Sequence, residues 1–109
     1  EIGDFDAAIE HLTALTDHAP YFAEGWNARA TAYFLAGEFG PSVADIGKTL
    51  QLNPHHFGAL AGLGQIFEAM ERPDQAIKAY RAALAIHPHM DSIKQAAERL
   101  ERETQGTDL

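Results

Sequence analysis

Six histidines, His11, His18, His55, His56, His87 and His89, are the residues of this chain best suited to chemistry. His55 and His56 are adjacent and His87-Pro88-His89 forms a compact pair, and clustered imidazoles can bind zinc or copper. The pattern argues against a metal site. There is no HExxH spacing and no cysteine. Turns one repeat apart on packed helices lie about 10 Å from each other, too far for two ligands on one ion. The histidines read as exposed turn residues, with no metal and no cofactor implied.

Catalytic signatures are equally thin. GEFGPS lacks the lysine and the preceding strand of a phosphate loop, and neither a GxSxG elbow nor a cysteine nucleophile is present. The carboxylates are scattered at positions that fit solvated helix surfaces, with Asp74 and Asp91 placed as helix-start acids. The expectation is that the chain is not an enzyme and has no catalytic residues. Arg29 interrupts an apolar helical pattern, and an inward guanidinium needs an acid beside it. Asp45 is the expected partner in a structural pair, favoured over a ligand contact at the edge of a groove.

At 109 residues with 46% hydrophobic composition, the chain is one domain's worth of globular sequence. Its net charge of −8 is uneven: residues 1–54 carry eight acids against Arg29 and Lys48, whereas residues 55–109 carry eight acids against six bases. An acidic surface without a basic stripe repels phosphate backbones, so nucleic acid is excluded as a partner and an apolar or basic peptide suits it better. No apolar run approaches the roughly 18 residues of a membrane span, so no membrane insertion is expected. The chain opens directly into a helical pattern, as a piece of a longer protein would.

The elements that position these residues follow from a period. Pro20, Pro54 and Pro88 stand 34 residues apart, in the segments LTDHAPYF, LQLNPHHF and LAIHPHMD. A fixed period in this range marks a stacked repeat, each unit burying its face on the next. Trp26 aligns with Leu60, Ala30 with Gly64 and Tyr33 with Phe67. Ala8 aligns with Ser42 and Ala76, and Leu12 with Ile46 and Tyr80. Apolar spacing predicts helices near 5–18, 23–36, 42–52, 57–70, 74–86 and 90–104. The divisions are the second helix of a truncated repeat at 1–22, full repeats at 23–56 and 57–90, a capping helix at 91–104 and a frayed tail at 105–109. Gly37 ends one helix, and Pro41 and Pro73 open others. Gly64 in mid-helix implies close packing, since it otherwise costs about 1 kcal/mol against alanine.

In Leu60, Leu63, Gly64, Phe67, Ala76, Tyr80, Ala83 and Pro88 the chain resembles the tetratricopeptide repeat family. Arg29 and Thr49 depart from its pattern, where Leu and Ala are usual. The resemblance implies an all-α, right-handed superhelix of six antiparallel helices, and a scaffold that holds a peptide or helix in its concave groove. The text AEGWNARATAYFLAG…SVADI…HFGALAGLG looks like a bacterial subgroup of the family, many of them periplasmic. First-helix positions outside the core then line the groove: Glu24, Asn27, Thr31 and Phe34, then Ala61, Gln65 and Glu68, with Gln95 and Arg99 on the last helix. Asn27 matches a position where peptide-binding members often carry an asparagine that bonds a ligand backbone; its alternative is a solvated polar residue. Ala61 and Gln65 carry no charge where a carboxylate-gripping member needs Lys or Arg, so that specific activity is not expected.

The alternative to groove binding is self-association. Ile2, Phe5, Ile9 and Leu12 would normally pack partly against a helix that this chain lacks, and exposed apolar ends of a solenoid need covering. A homodimer through residues 2–15 would cover them. Ile93, Ala96, Ala97 and Leu100, flanked by Glu98, Arg99, Glu101 and Arg102, read as a cap at the other end.

Overall fold

A computed structural model describes residues 2–106, with side chains described for residues 4–105. The described residues form six α-helices and no strand: α1 Ile2–His18, α2 Ala23–Leu35, α3 Phe39–Leu52, α4 Phe57–Ala69, α5 Pro73–Ile86 and α6 Asp91–Gly106. Two differences from the sequence expectation stand out. α3 begins at Phe39, before Pro41 rather than after it, because a proline in the first turn removes only an N–H that has no intrahelical partner. α6 continues to Gly106, past the expected end at 104. The rest of the expected frayed tail, residues 107–109, lies outside the described residues.

The periodic residues do the same work at each repeat. Asn53 and His87 precede Pro54 and Pro88, and both take extended backbone conformations that stop α3 and α5. A proline ring crowds the residue before it out of the helical region. α2 and α4 end differently, in a left-handed residue one period apart: Gly37 at φ +79° and Glu71 at φ +59°. The N–H of Glu38 then reaches Tyr33 O at 2.8 Å, and that of Arg72 reaches Phe67 O at 2.9 Å. These are the backward bonds that satisfy the last carbonyls of a helix.

The chain divides into two compact units, Glu1–Pro54 and His55–Leu109. In the first, α2 packs against both α1 and α3; in the second, α5 packs against both α4 and α6. Their cores differ in kind. The second unit buries Ala61, Ala76, Tyr80, Ala83, Ile93, Ala97 and Leu100 as one apolar cluster. Gly64 makes that packing possible, because a methyl group there would stand 2.3 Å from the Tyr80 ring. In the first unit Ala30, Ala32 and Ile46 share the interior with Thr16, Ser42, Asp45 and Thr49. Buried hydroxyls must be bonded to be tolerated. Accordingly Ser42 Oγ donates to Ala30 O at 2.6 Å and Thr49 Oγ1 to Asp45 O at 2.9 Å.

Candidate functional site

Arg29 is the centre of the polar interior of the first unit. Its Nε and one Nη donate to the two carboxylate oxygens of Asp45 at 2.7 and 2.8 Å, and its other Nη donates to Thr13 Oγ1 at 3.2 Å. The fork geometry of a guanidinium matches a carboxylate in this way, which a lysine could not reproduce. The Asp45 hydrogen bond holds the Arg29 pKa above its ordinary value even though burial acts to lower it. The Arg29 guanidinium also lies 5.1 Å from the Trp26 ring centre and 5.7 Å from that of Tyr33. With side chains only 15% and 6% exposed, Arg29 and Asp45 are a structural pair tying α2 to α3, with Thr13 adding α1.

That commitment leaves another face of α2 to solvent. Its exposed stripe is Glu24, Ala28, Thr31 and Leu35, at successive helical turns, flanked by half-buried Asn27 and Phe34. Thr31 Oγ1 donates back to Asn27 O at 3.2 Å. The Phe34 ring lies against Phe39, with centres 5.8 Å apart. One period later α4 exposes Gly58, Gln65 and Ala69, with Glu68 half-buried. Ala61, an expected groove position, is buried in the core of the second unit instead, because it lies on the side of α4 that meets the apolar cluster.

Glu68 and Arg99 were expected as separate groove residues; they bond each other. Arg99 donates an Nη to Glu68 and reaches Glu103 at 3.5 Å, while the Tyr80 hydroxyl donates to the other Glu68 oxygen at 2.9 Å. Burial, reinforced by that carboxylate, pushes the Tyr80 pKa well above its ordinary value. Glu68, Glu71, Pro73, Arg99, Leu100 and Glu103 line an open cavity of about 390 Å³. Nothing in single-residue patterning signals the Glu68–Arg99 contact, which joins residues 31 positions apart. Gln95, on the same helix as Arg99, is exposed.

His56 caps α4, its Nδ1 accepting from the Ala59 N–H at 2.9 Å, and the His87 ring packs on Phe57 with centres 4.8 Å apart. Among the described residues no group of three His, Cys, Asp or Glu is placed to hold a metal ion. No helix among them is long and apolar enough to cross a membrane. Phe5, Ile9 and Leu12 of α1 are half-buried, and the side chain of Ile2 lies outside the described residues. The exposed aromatics Tyr21 and Phe22, in the turn between α1 and α2, had no place in the sequence expectation.

Comparison with known proteins bears on the whole arrangement. Two family models described as tetratricopeptide repeat match residues 1–44 and 58–90. A TPR repeat-containing protein of Rhizobium etli is 34% identical over 98 residues, covering 86% of this chain and 48% of the relative. Tetratricopeptide repeat protein 37 of Xenopus laevis is 28% identical over 95 residues, of which the chain spans 6%. The chain thus spans about half or less of these relatives' length. Among solved structures, the first TPR of Spaghetti (RPAP3) bound to the HSP90 peptide SRMEEVD superposes with a TM-score of 0.89 at 24% identity. That match covers 94% of this chain and 82% of the other. MamA gives 0.89 at 24% identity, covering 95% and 61%. At this identity the likeness carries the fold, an all-α helix-pair solenoid.

Proposed function

The chain belongs to the tetratricopeptide repeat family, and from that premise we propose that it is a non-enzymatic interaction module. It holds an extended or helical segment of a protein partner against the solvent faces of its first helices. In the first unit the contacts are Glu24, Asn27, Thr31 and Phe34; in the second they are Gln65 and Glu68, with Gln95 and Arg99 on α6. One observation carries the reading. On α2 the structural cation, Arg29, is spent on Asp45, so the face bearing Asn27 and Thr31 is left to amide and hydroxyl groups. The Asn27 amide both donates and accepts, and the Thr31 hydroxyl, whose proton goes to Asn27 O, accepts, which together suit a peptide backbone. Structural neighbours described as bound to an HSP90 peptide, or in complex with pHsp70, support peptide capture as something this fold can do.

The partner is a peptide with apolar or basic character. The negative charge of residues 1–54 favours it, and the carboxylates of Glu24 and Glu68 would meet it. Affinity capture from the source cell's extract, read by mass spectrometry, tests this with the chain beside an Asn27→Ala, Gln65→Ala variant. A protein held by the chain and lost by the variant is the expected result. Equal capture by both refutes the first-helix faces as the site.

A second reading is supported by α1, where Phe5, Ile9 and Leu12 are only half-buried. Self-association through that face predicts a dimer whose dissociation constant rises when Phe5 and Leu12 are replaced by serine. Sedimentation showing a monomer at high concentration rules it out.

A further inference from the structure

The turn between α1 and α2 places two aromatic rings in water. Tyr21 is 86% exposed and Phe22 is 50% exposed, side by side. Phe22 occupies the N-cap of α2, where it offers the helix no side-chain hydrogen bond. One period later the equivalent residue is His56, which does cap its helix. Ser, Thr, Asn and Asp lead at N-caps, and large apolar residues are poor there. Helices α3 and α5 also begin without a side-chain cap, at Glu38 and Arg72, but α2 alone of these has a large apolar ring at that position. A local rule given up in this way points to a functional site.

The turn that carries the rings is held by hydrogen bonds. Pro20 fixes the turn, and the Trp26 Nε1 donates to Pro20 O at 2.9 Å. The Phe22 N–H bonds Ala19 O and the Gly25 N–H bonds Phe22 O, each at 3.1 Å. A Cβ at Gly25 would stand 3.5 Å from the Phe22 ring, so that ring rests over the start of α2. A Phe22 ring resting on a bonded turn makes a binding anchor, because little freedom remains to be lost, and Tyr21 adds a second aromatic surface next to it in sequence.

Charge selects the partner. Both bases of residues 1–54 are engaged internally, Arg29 with Asp45 and Lys48 at 5.6 Å over the Trp26 ring. Asp17, four residues before Tyr21, is an exposed acid, and residues 1–54 carry eight acids against two bases. We propose that Tyr21 and Phe22 form a docking surface for a peptide that carries an apolar side chain beside a lysine or arginine. The apolar group packs on the two rings, and the cation is met by Asp17 and by the aromatic faces. This surface rests on the reading of the chain as an interaction module, but not on Asn27, Thr31 or the α4 face.

Selection from a random 12-residue peptide library against the whole chain tests it. Peptides with net positive charge and an aromatic or aliphatic residue should be enriched, and their binding should weaken in salt. Tyr21→Ser should weaken them tenfold or more at an unchanged melting temperature. Phe22→Asn, which supplies a cap, should do the same with helix content intact. The Asn27→Ala, Gln65→Ala variant should still bind them. Enrichment of acidic peptides, or binding that survives both turn substitutions, overturns the proposal. Loss only in the Asn27→Ala, Gln65→Ala variant overturns it in favour of the first-helix faces. A concentration-dependent dimer abolished by Tyr21→Ser would make a second copy the occupant and overturn it too. An empty selection that leaves capture at the first-helix faces intact refutes the turn alone.

Discussion

Replacing Gly64 by alanine tests the packing account at its tightest point. An ideal Cβ at residue 64 would stand 2.3 Å from two carbons of the Tyr80 ring and 2.9 Å from a third. Carbon atoms pack at about 3.5–4.0 Å, so ring or helix must yield by more than about 1 Å. The ring has nowhere to go, since Tyr80 is 2% exposed and its hydroxyl is held by Glu68. Overpacking of this kind costs about 1–3 kcal/mol, and losing the hydroxyl bond adds about 1. Against this, alanine gains about 1 kcal/mol of helix propensity over glycine. The net expectation is a loss of about 2 kcal/mol, or roughly 10 °C in melting temperature at about 4–8 °C per kcal/mol. One period earlier the corresponding residues are Ala30 and Ile46, so the chain already carries the complementary pairing. Tyr80→Ile should therefore be tolerated far better beside Ala at 64 than beside Gly. A double-mutant cycle followed by circular dichroism in urea reads this as a coupling of about 2 kcal/mol. If Gly64→Ala is neutral or stabilising, or the coupling is below about 0.5 kcal/mol, the close-approach argument is wrong.

Three further outcomes follow from the same contacts. Asp45→Asn should destabilise by about 3 kcal/mol in urea denaturation, since it leaves the mostly buried Arg29 without its charge partner, while Arg29→Leu with Asp45→Ala should recover most of the loss. Glu71→Gly should raise stability by about 0.5–1 kcal/mol, because only glycine takes φ +59° without strain, and Gly37→Ala should lower it by a similar amount. Tyr80 has a raised folded pKa, so its contribution is fully present below pH 10, its ordinary value, and falls as pH rises through the folded value. Absorbance titration at 295 nm should show one tyrosine of the three ionising late, and Tyr80→Phe should remove that late component.

Much of the architecture was legible because it depends on spacing. The 34-residue period placed the helix pairs, and the ring-crowding of Pro54 and Pro88 placed two of the stops. Arg29 and Asp45 were readable as a pair for a simple electrostatic reason: a guanidinium on an apolar stripe must have an acid, and the facing helix offered one. Gly64 was readable because glycine in mid-helix demands a neighbour at close range. The remainder depends on contacts that no local pattern encodes. Glu68 and Arg99 meet across 31 residues, and a polar residue on a first helix reads the same whether it faces a ligand or another side chain. Ala61 shows the opposite error, since a small apolar residue fits a groove or a core equally well until its helix is placed. The exposure of Tyr21 and Phe22 has no signal in the pattern, because aromatic residues beside a proline read as ordinary turn packing. Only an apolar residue at the N-cap of α2 marks them.

The central claim is that the chain captures a peptide segment on the exposed faces of α2 and α4. Hydrogen exchange of the chain, free and with its captured partner, tests this most directly. The account predicts slowed exchange confined to α2, α4 and α6, around Asn27, Thr31, Gln65 and Gln95, with α3 and α5 unchanged. Protection confined to α3 and α5, with the first helices exchanging as in the free chain, would contradict it.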